Sequence, residues 1–273
     1  MAQIETATHH LLASLDDGVL TLTLNRPEAR NAMSGEMTGA LAERLAWAEL
    51  EPEVKVVVLT GAGQGFCAGG DVKGMNERNS GAGRPQTIDE QIAAQRVNQR
   101  ATAGKLFHMP KPTIAALPGA AAGAGLALAL ACDLRIMATT AIMTTAFARV
   151  GFSGDYGGTY FLTQLVGAAK ARELYFLSER VNAEEALRLG LANWIVGPEE
   201  LAKRTREIAL RLAKGPTVAY RYMKENLNRA MAGEALDCMD LEATHHVHCG
   251  ATHDHKEAAK AFVEKREPVF EGR

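Results

Sequence analysis

Three short stretches of this 273-residue chain hold residue types and spacings that could do chemistry. The first, GFSGDYGGT at residues 151–159, sets a single carboxylate, Asp155, in a run of small residues. Nothing else between Arg149 and Lys170 is charged. A carboxylate placed this way reads in two ways. It is either a turn residue that accepts backbone N–H groups, or a base whose position its neighbours fix. The other two stretches are Gly/Ala turns, GFCAGGD at 65–71 and GAAAGAG at 119–125. Small side chains let a ligand approach the backbone, and a helix that opens at such a turn presents unpaired N–H groups and a positive dipole end. Two such turns side by side would aim two N–H donors at one oxygen. Glycines after strands are also ordinary turn residues. Neither turn fits GxxxxGK[ST] or GxGxxG, so a nucleotide cofactor has weak support.

Each turn follows an apolar run that predicts a buried strand. Residues 54–60 (VKVVVLT) precede the first, and residues 113–117 (TIAAL), entered through Pro110 and Pro112, precede the second. Alternation at 18–25 (GVLTLTLN) predicts a half-buried strand, with an earlier one at 9–15. Helical spacing runs over 35–50, behind a partial cap at Ser34 and Met37, and over 88–107, where Asp89 and Glu90 suit the helix dipole. A helix to Cys132 and a strand at 134–137 follow the second turn. Beyond Gly158 the spacing is mostly helical (183–189, 199–212, 216–231, 233–248), with a strand at 193–196. An α/β layered fold is expected, with its turns collected at one end of the sheet. We divide it into a βα core at 1–197 and a helical C-terminal region at 198–273, with no internal repeat.

Composition narrows the function classes. Net charge is −2 with 47% hydrophobic and 23% charged residues, and pI is about 6.5. No global field favours nucleic acid or an anionic membrane, and no basic–aromatic stripe suits RNA. Cys67, Cys132, Cys238 and Cys249 form no CxxC pair, and the N-terminus lacks a basic–apolar export pattern. Reduced thiols in the cytoplasm are expected. The apolar run 115–132 is mostly Ala and Gly and contains Pro118, so no membrane span is expected. His245, His246, His248, Cys249, His253 and His255 crowd one region, yet no carboxylate-supported ligand set is evident, and no metal site is assigned. Asp71 is read as a cap for a helical turn after it.

Together NRPEARNAM (25–33), GAGQGFCAGGDVKGM (61–75), KPTIAALPGAAAGAGLALALACDLRI (111–136), LTQLVGAAKARELYFLSERVNAEEALRLGLANWIV (162–196) and AFVEKREPVF (261–270) resemble the enoyl-CoA hydratase/isomerase, or crotonase, superfamily, in family order over nearly the whole chain. The resemblance implies a ββα-spiral core and a helical C-terminal trimerisation region. A homotrimer or hexamer is implied, with an acyl-CoA thioester as substrate and no further cofactor. It implies an oxyanion hole of two backbone N–H groups, placed here at Ala68 and Ala124, with Gly69, Gly70, Asp71 and Gly123 lining the substrate. For CoA it implies Arg26, Lys73, Phe262 and Lys265, whose cations suit phosphates. Residues 77–86 and the helix after them would line the acyl pocket.

The same resemblance sets the reaction in question. Positions held by two proton-handling glutamates in the hydratases are Ala127 and Phe147 here, and neither side chain moves a proton. Asp155 stands where isomerase branches carry a proton-shuttling aspartate and the dehalogenase branch a nucleophile. The reading is an enoyl-CoA isomerase with Asp155 as base, with Tyr156 as a candidate hydrogen-bond donor. Hydration by a non-standard carboxylate and a catalytically silent acyl-CoA binder are the alternatives.

Overall fold

The computed structural model describes residues 2–71 and 86–273. Its strands are β1 (Ala2–Ile4), β2 (Leu11–Asp16), β3 (Val19–Leu24), β4 (Val56–Gly61), β5 (Gly65–Cys67), β6 (Thr113–Leu117), β7 (Ala120–Ala122), β8 (Leu134–Ala138), β9 (Ile142–Thr144), β10 (Val181–Asn182) and β11 (Trp194–Val196). They form a seven-stranded sheet in the order β1-β2-β3-β4-β6-β8-β11 and a four-stranded sheet in the order β10-β9-β7-β5. In the larger sheet β1, β2 and β3 pair antiparallel, and every pairing from β3 onward is parallel. The β-branched run of β4 and all of β6 are buried, as the centre of a sheet covered on both faces requires.

The helices are α1 (Gly35–Leu50), α2 (Ile88–Gln99), α3 (Lys105–His108), α4 (Ala124–Ala131), α5 (Gly158–Leu177), α6 (Ala183–Arg188), α7 (Leu201–Ala213), α8 (Thr217–Ala230), α9 (Ala235–Gly250) and α10 (His253–Glu264). A π turn, Arg100–Gly104, joins α2 to α3, so the single helix expected over 88–107 is continuous but underwound in its second half. Ser34 does cap α1, accepting from the Met37 N–H at 3.1 Å. A full capping box between Thr87 and Glu90 starts α2.

A chain step from the large sheet to the small one recurs three times: β4 to β5, β6 to β7, and β8 to β9. A helix follows the last two steps as α4 and α5, giving ββα turns without any repeat in the letters. The short strands β5 and β7, which the sequence reading left as turns, and β9 and β10, to which it assigned no element, make the second layer. α7 lies on the C-terminal side of the expected 197/198 boundary, yet it packs on β3, β4, β6 and β8. Among the described residues no helix is long and apolar enough to cross a membrane.

Candidate active site

The two Gly/Ala turns meet because β5 and β7 pair in parallel. Gly69, at φ +93°, lies so close to the second turn that a Cβ there would stand 2.8 Å from Ala122 O and 3.4 Å from Ala124 N. Only glycine fits that approach. The structure corrects the donor assigned to the first turn. The Ala68 N–H is already donated to Arg30 O at 3.0 Å. The next residues form a parallel bridge with Met33, in which Met33 N–H donates to Gly69 O and Asp71 N–H to Met33 O. Extended backbone alternates its hydrogen-bonding direction, so the Gly70 N–H points away from that bridge and has no acceptor among the described residues. In the second turn Gly123 N–H is held by Thr144 O at 3.1 Å. Ala124, the first residue of α4, has no acceptor among the described residues and no capping side chain before it. Gly70 and Ala124 are therefore donors on the adjoining turns with no acceptor among the described residues.

Asp155 sits in a loop whose backbone is left-handed at Gly151, Gly154, Tyr156 and Gly157. From α2, Gln99 accepts the Tyr156 N–H, and one helical turn earlier Gln95 Nε2 lies 3.5 Å from Asp155 Oδ2. The other carboxylate oxygen, Oδ1, is buried and has no hydrogen-bond partner among the described residues. Neither oxygen accepts a backbone N–H among the described residues, so the side chain is not spent on capping its own turn. Burial pushes its pKa up to about 6.

Beyond Gln95 and Gln99, the side chains that pack near this loop include apolar and aromatic ones. Ala127, in α4, and Phe147 are buried. Phe147 stacks on Tyr175 with ring centroids 5.9 Å apart and planes 9° from parallel. The sequence reading missed Tyr175, which α5 returns to this loop: a Cβ at Gly154 would lie 3.1 Å from its ring. Tyr156 is buried, and burial pushes its phenol up to about 12, so it stays a neutral donor at ordinary pH.

The family model for enoyl-CoA hydratase/isomerase matches residues 14–273. The chain belongs to the enoyl-CoA hydratase/isomerase family. It is 37% identical over 263 residues to the 1,2-epoxyphenylacetyl-CoA isomerase of Escherichia coli K12, covering 96% of this chain and 98% of that one. It is 34% identical to the short-chain-enoyl-CoA hydratase of Clostridium acetobutylicum over 94% and 96% of the two chains. A crystal structure of an enoyl-CoA hydratase from Polaromonas sp. JS666 superposes with a TM-score of 0.88 at 32% identity, covering 96% and 99%. The fold is crotonase-like, as its stepped sheets indicate.

In this member of the enoyl-CoA hydratase/isomerase family, Arg26 and Asp71 are found together. The guanidinium Nη1 donates to Asp71 Oδ2 at 2.9 Å and to Ala32 O at 2.8 Å. Lys73, and the helical turn that Asp71 was expected to cap, lie outside the described residues. So do most of residues 77–86. Phe262 and Lys265 lie at the end of α10, with Phe262 86% exposed. That helix packs on α9 and holds the C-terminal tail through Asp254, so the structure gives no contact between those two residues and the donor turns. His245, from the histidine-rich region, is occupied by Asn226 and by Tyr222, whose ring centroid is 4.3 Å away.

Proposed function

We propose that this chain is an acyl-CoA double-bond isomerase. The thioester carbonyl oxygen accepts from Gly70 and Ala124 N–H, and the N-terminus of α4 adds its dipole to the enolate charge. Asp155 removes a proton from the acyl chain and returns it to another carbon, a 1,3-shift that one carboxylate can perform. This transfer uses only the chain's own groups and the thioester. The observation that carries the reading is the buried, unpartnered Oδ1 of Asp155, at a site where Ala127 and Phe147 offer no carboxylate. A pKa near 6 leaves the group ionised at neutral pH yet basic enough to act.

The relative named as an isomerase is consistent with this reading, and the one named as a hydratase favours hydration as the second. The test is a panel of 2-enoyl- and 3-enoyl-CoA esters, followed by absorbance of the conjugated thioester. The wild type is expected to interconvert the positional isomers, and Asp155→Asn to lose about 100-fold or more of kcat. Unchanged turnover in that variant would sink the assignment. Loss of conjugated absorbance with uptake of one water, and no positional isomer formed, would favour the hydratase.

A further inference from the structure

Tyr175 has a hydroxyl that the proton shuttle does not use. Its ring is fixed from two sides: it stacks on Phe147, and the turn of α5 that carries it is tied to the β9 end by Thr145 Oγ1, which donates to Leu174 O at 2.8 Å. The point where a Gly158 Cβ would stand is 2.8 Å from Tyr175 Oη and 3.2 Å from Ala127 Cβ. A Gly154 Cβ would be 3.4 Å from the same oxygen. The two glycines thus admit the hydroxyl close against the Asp155 loop, with Ala127 beside it. The hydroxyl has no hydrogen-bond partner among the described residues, and no hydrogen bond joins it to Asp155. Burial and the nearby Asp155 charge both push the phenol pKa upward, so Tyr175 is a neutral donor. A purely hydrocarbon acyl chain would leave that donor desolvated and unpaired, which sites of this kind avoid.

We propose that Tyr175 is a specificity-determining residue that donates a hydrogen bond to an oxygen on the acyl chain beyond the thioester, so that the substrate class is an oxygenated acyl-CoA. A hydroxyl, epoxide or keto oxygen meets the requirement, and a hydroxyl can also donate to the unpartnered Asp155 Oδ1. This rests on the reading that the acyl chain of a CoA ester lies beside Asp155, but not on the proton shift itself. Selection follows from geometry: one fixed donor without a competing partner discriminates against the analogue lacking its acceptor.

The test is equilibrium binding, by calorimetry, of hexanoyl-CoA, 3-hydroxyhexanoyl-CoA, 4-oxohexanoyl-CoA and 5-oxohexanoyl-CoA. None of these saturated probes needs the double-bond shift, so the result is independent of the isomerase reading. At least one oxygenated ester is expected to bind roughly tenfold more tightly than hexanoyl-CoA to the wild type. Tyr175→Phe, which keeps the stack on Phe147, is expected to bring that ratio close to one. Gly158→Ala, whose methyl would stand 2.8 Å from the hydroxyl oxygen and force it to shift, is expected to do the same by a separate route. A wild-type ratio near one, or an oxygen preference unchanged in both variants, overturns the proposal. Failure of every ester to bind would overturn it together with the acyl-CoA reading beneath it. An Asp155→Asn enzyme that still isomerises, alongside a Tyr175-dependent preference, would discard only the proton-shuttle assignment.

Discussion

Asp155 combines burial with an oxygen left unpartnered, and the two together make a signed prediction about pH. Its carboxyl is raised from 3.8 to about 6 in the folded chain because burial disfavours the charged form. Below pH 3.8 the folded and unfolded states are both protonated and no penalty exists. As pH rises through 3.8 toward 6, the unfolded state ionises first, and the fold loses stability. Asp155→Asn should therefore raise thermal stability at pH 7.5, by about 1–2 kcal/mol after allowance for partial exposure, and give no gain at pH 3.5. Melting curves at the two pH values check this, and a variant less stable than wild type at pH 7.5 contradicts it. Wild-type kcat/KM should climb with pH and level off above about 6, since the base acts ionised. Asp155 was legible in the sequence as a lone charge among glycines. Gly70 was read only as lining the substrate and Tyr175 not at all: a backbone donor has no letter of its own, and Tyr175 reaches the loop only through the path of α5.

At the scale of elements, the site depends on how closely β5 approaches α4. A Cβ at Gly125 would stand 2.4 Å from Cys67 O and 2.8 Å from Cys67 Sγ, and the carbonyl is backbone that cannot swing aside. Gly125→Ala should cost about 2–3 kcal/mol of stability, because the turns must separate to admit the methyl. Separating the Gly70 and Ala124 donors should also lower kcat for any acyl-CoA substrate. Gly35→Ala is the control: nothing lies within 4 Å of its Cβ at the start of α1, so stability should hold or rise by up to about 1 kcal/mol. Equal losses in the two variants would show that the close approach is not what Gly125 provides. The elements that periodicity controls, such as α1, β4 and β6, were readable from the sequence to within two residues or exactly. The three-residue strands β5, β7 and β9 were not readable. Three residues are too few to show a period, those of β5 and β7 lie within Gly/Ala turns, and only pairing with one another across the second sheet makes them strands. The same dependence on partners hid the donor assignment, because which N–H remains free is set by the bridge to Met33.

For the whole molecule, the C-terminal helices attach to the core through few polar ties. Lys224 of α8 is buried and donates to Leu106 O at 2.8 Å, Lys111 O at 3.2 Å and Asp133 Oδ2 at 2.8 Å. Beside it a hollow of about 1230 Å³ opens between α8, α9 and residues 108–110. Lys224→Met would take the ammonium from two carbonyls and from Asp133 Oδ2, which among the described residues keeps only its bonds from Thr113, at a cost of about 3 kcal/mol. The outer faces of these helices and of the α5 end expose Phe176, Leu227, Leu236, Met239 and Val247. Monomeric proteins seldom leave so much apolar side chain exposed, and a closed symmetric assembly buries it. We therefore expect light scattering at micromolar concentration to give three or six times the 29.2 kDa chain mass. A mass of one chain would rule that assembly out. Lys224→Met should then shift the mass toward smaller species on dilution as well as lower the melting temperature, since freeing α8 displaces the surface that subunits would share. A variant that melts earlier but keeps its full mass at every concentration would separate the core tie from assembly.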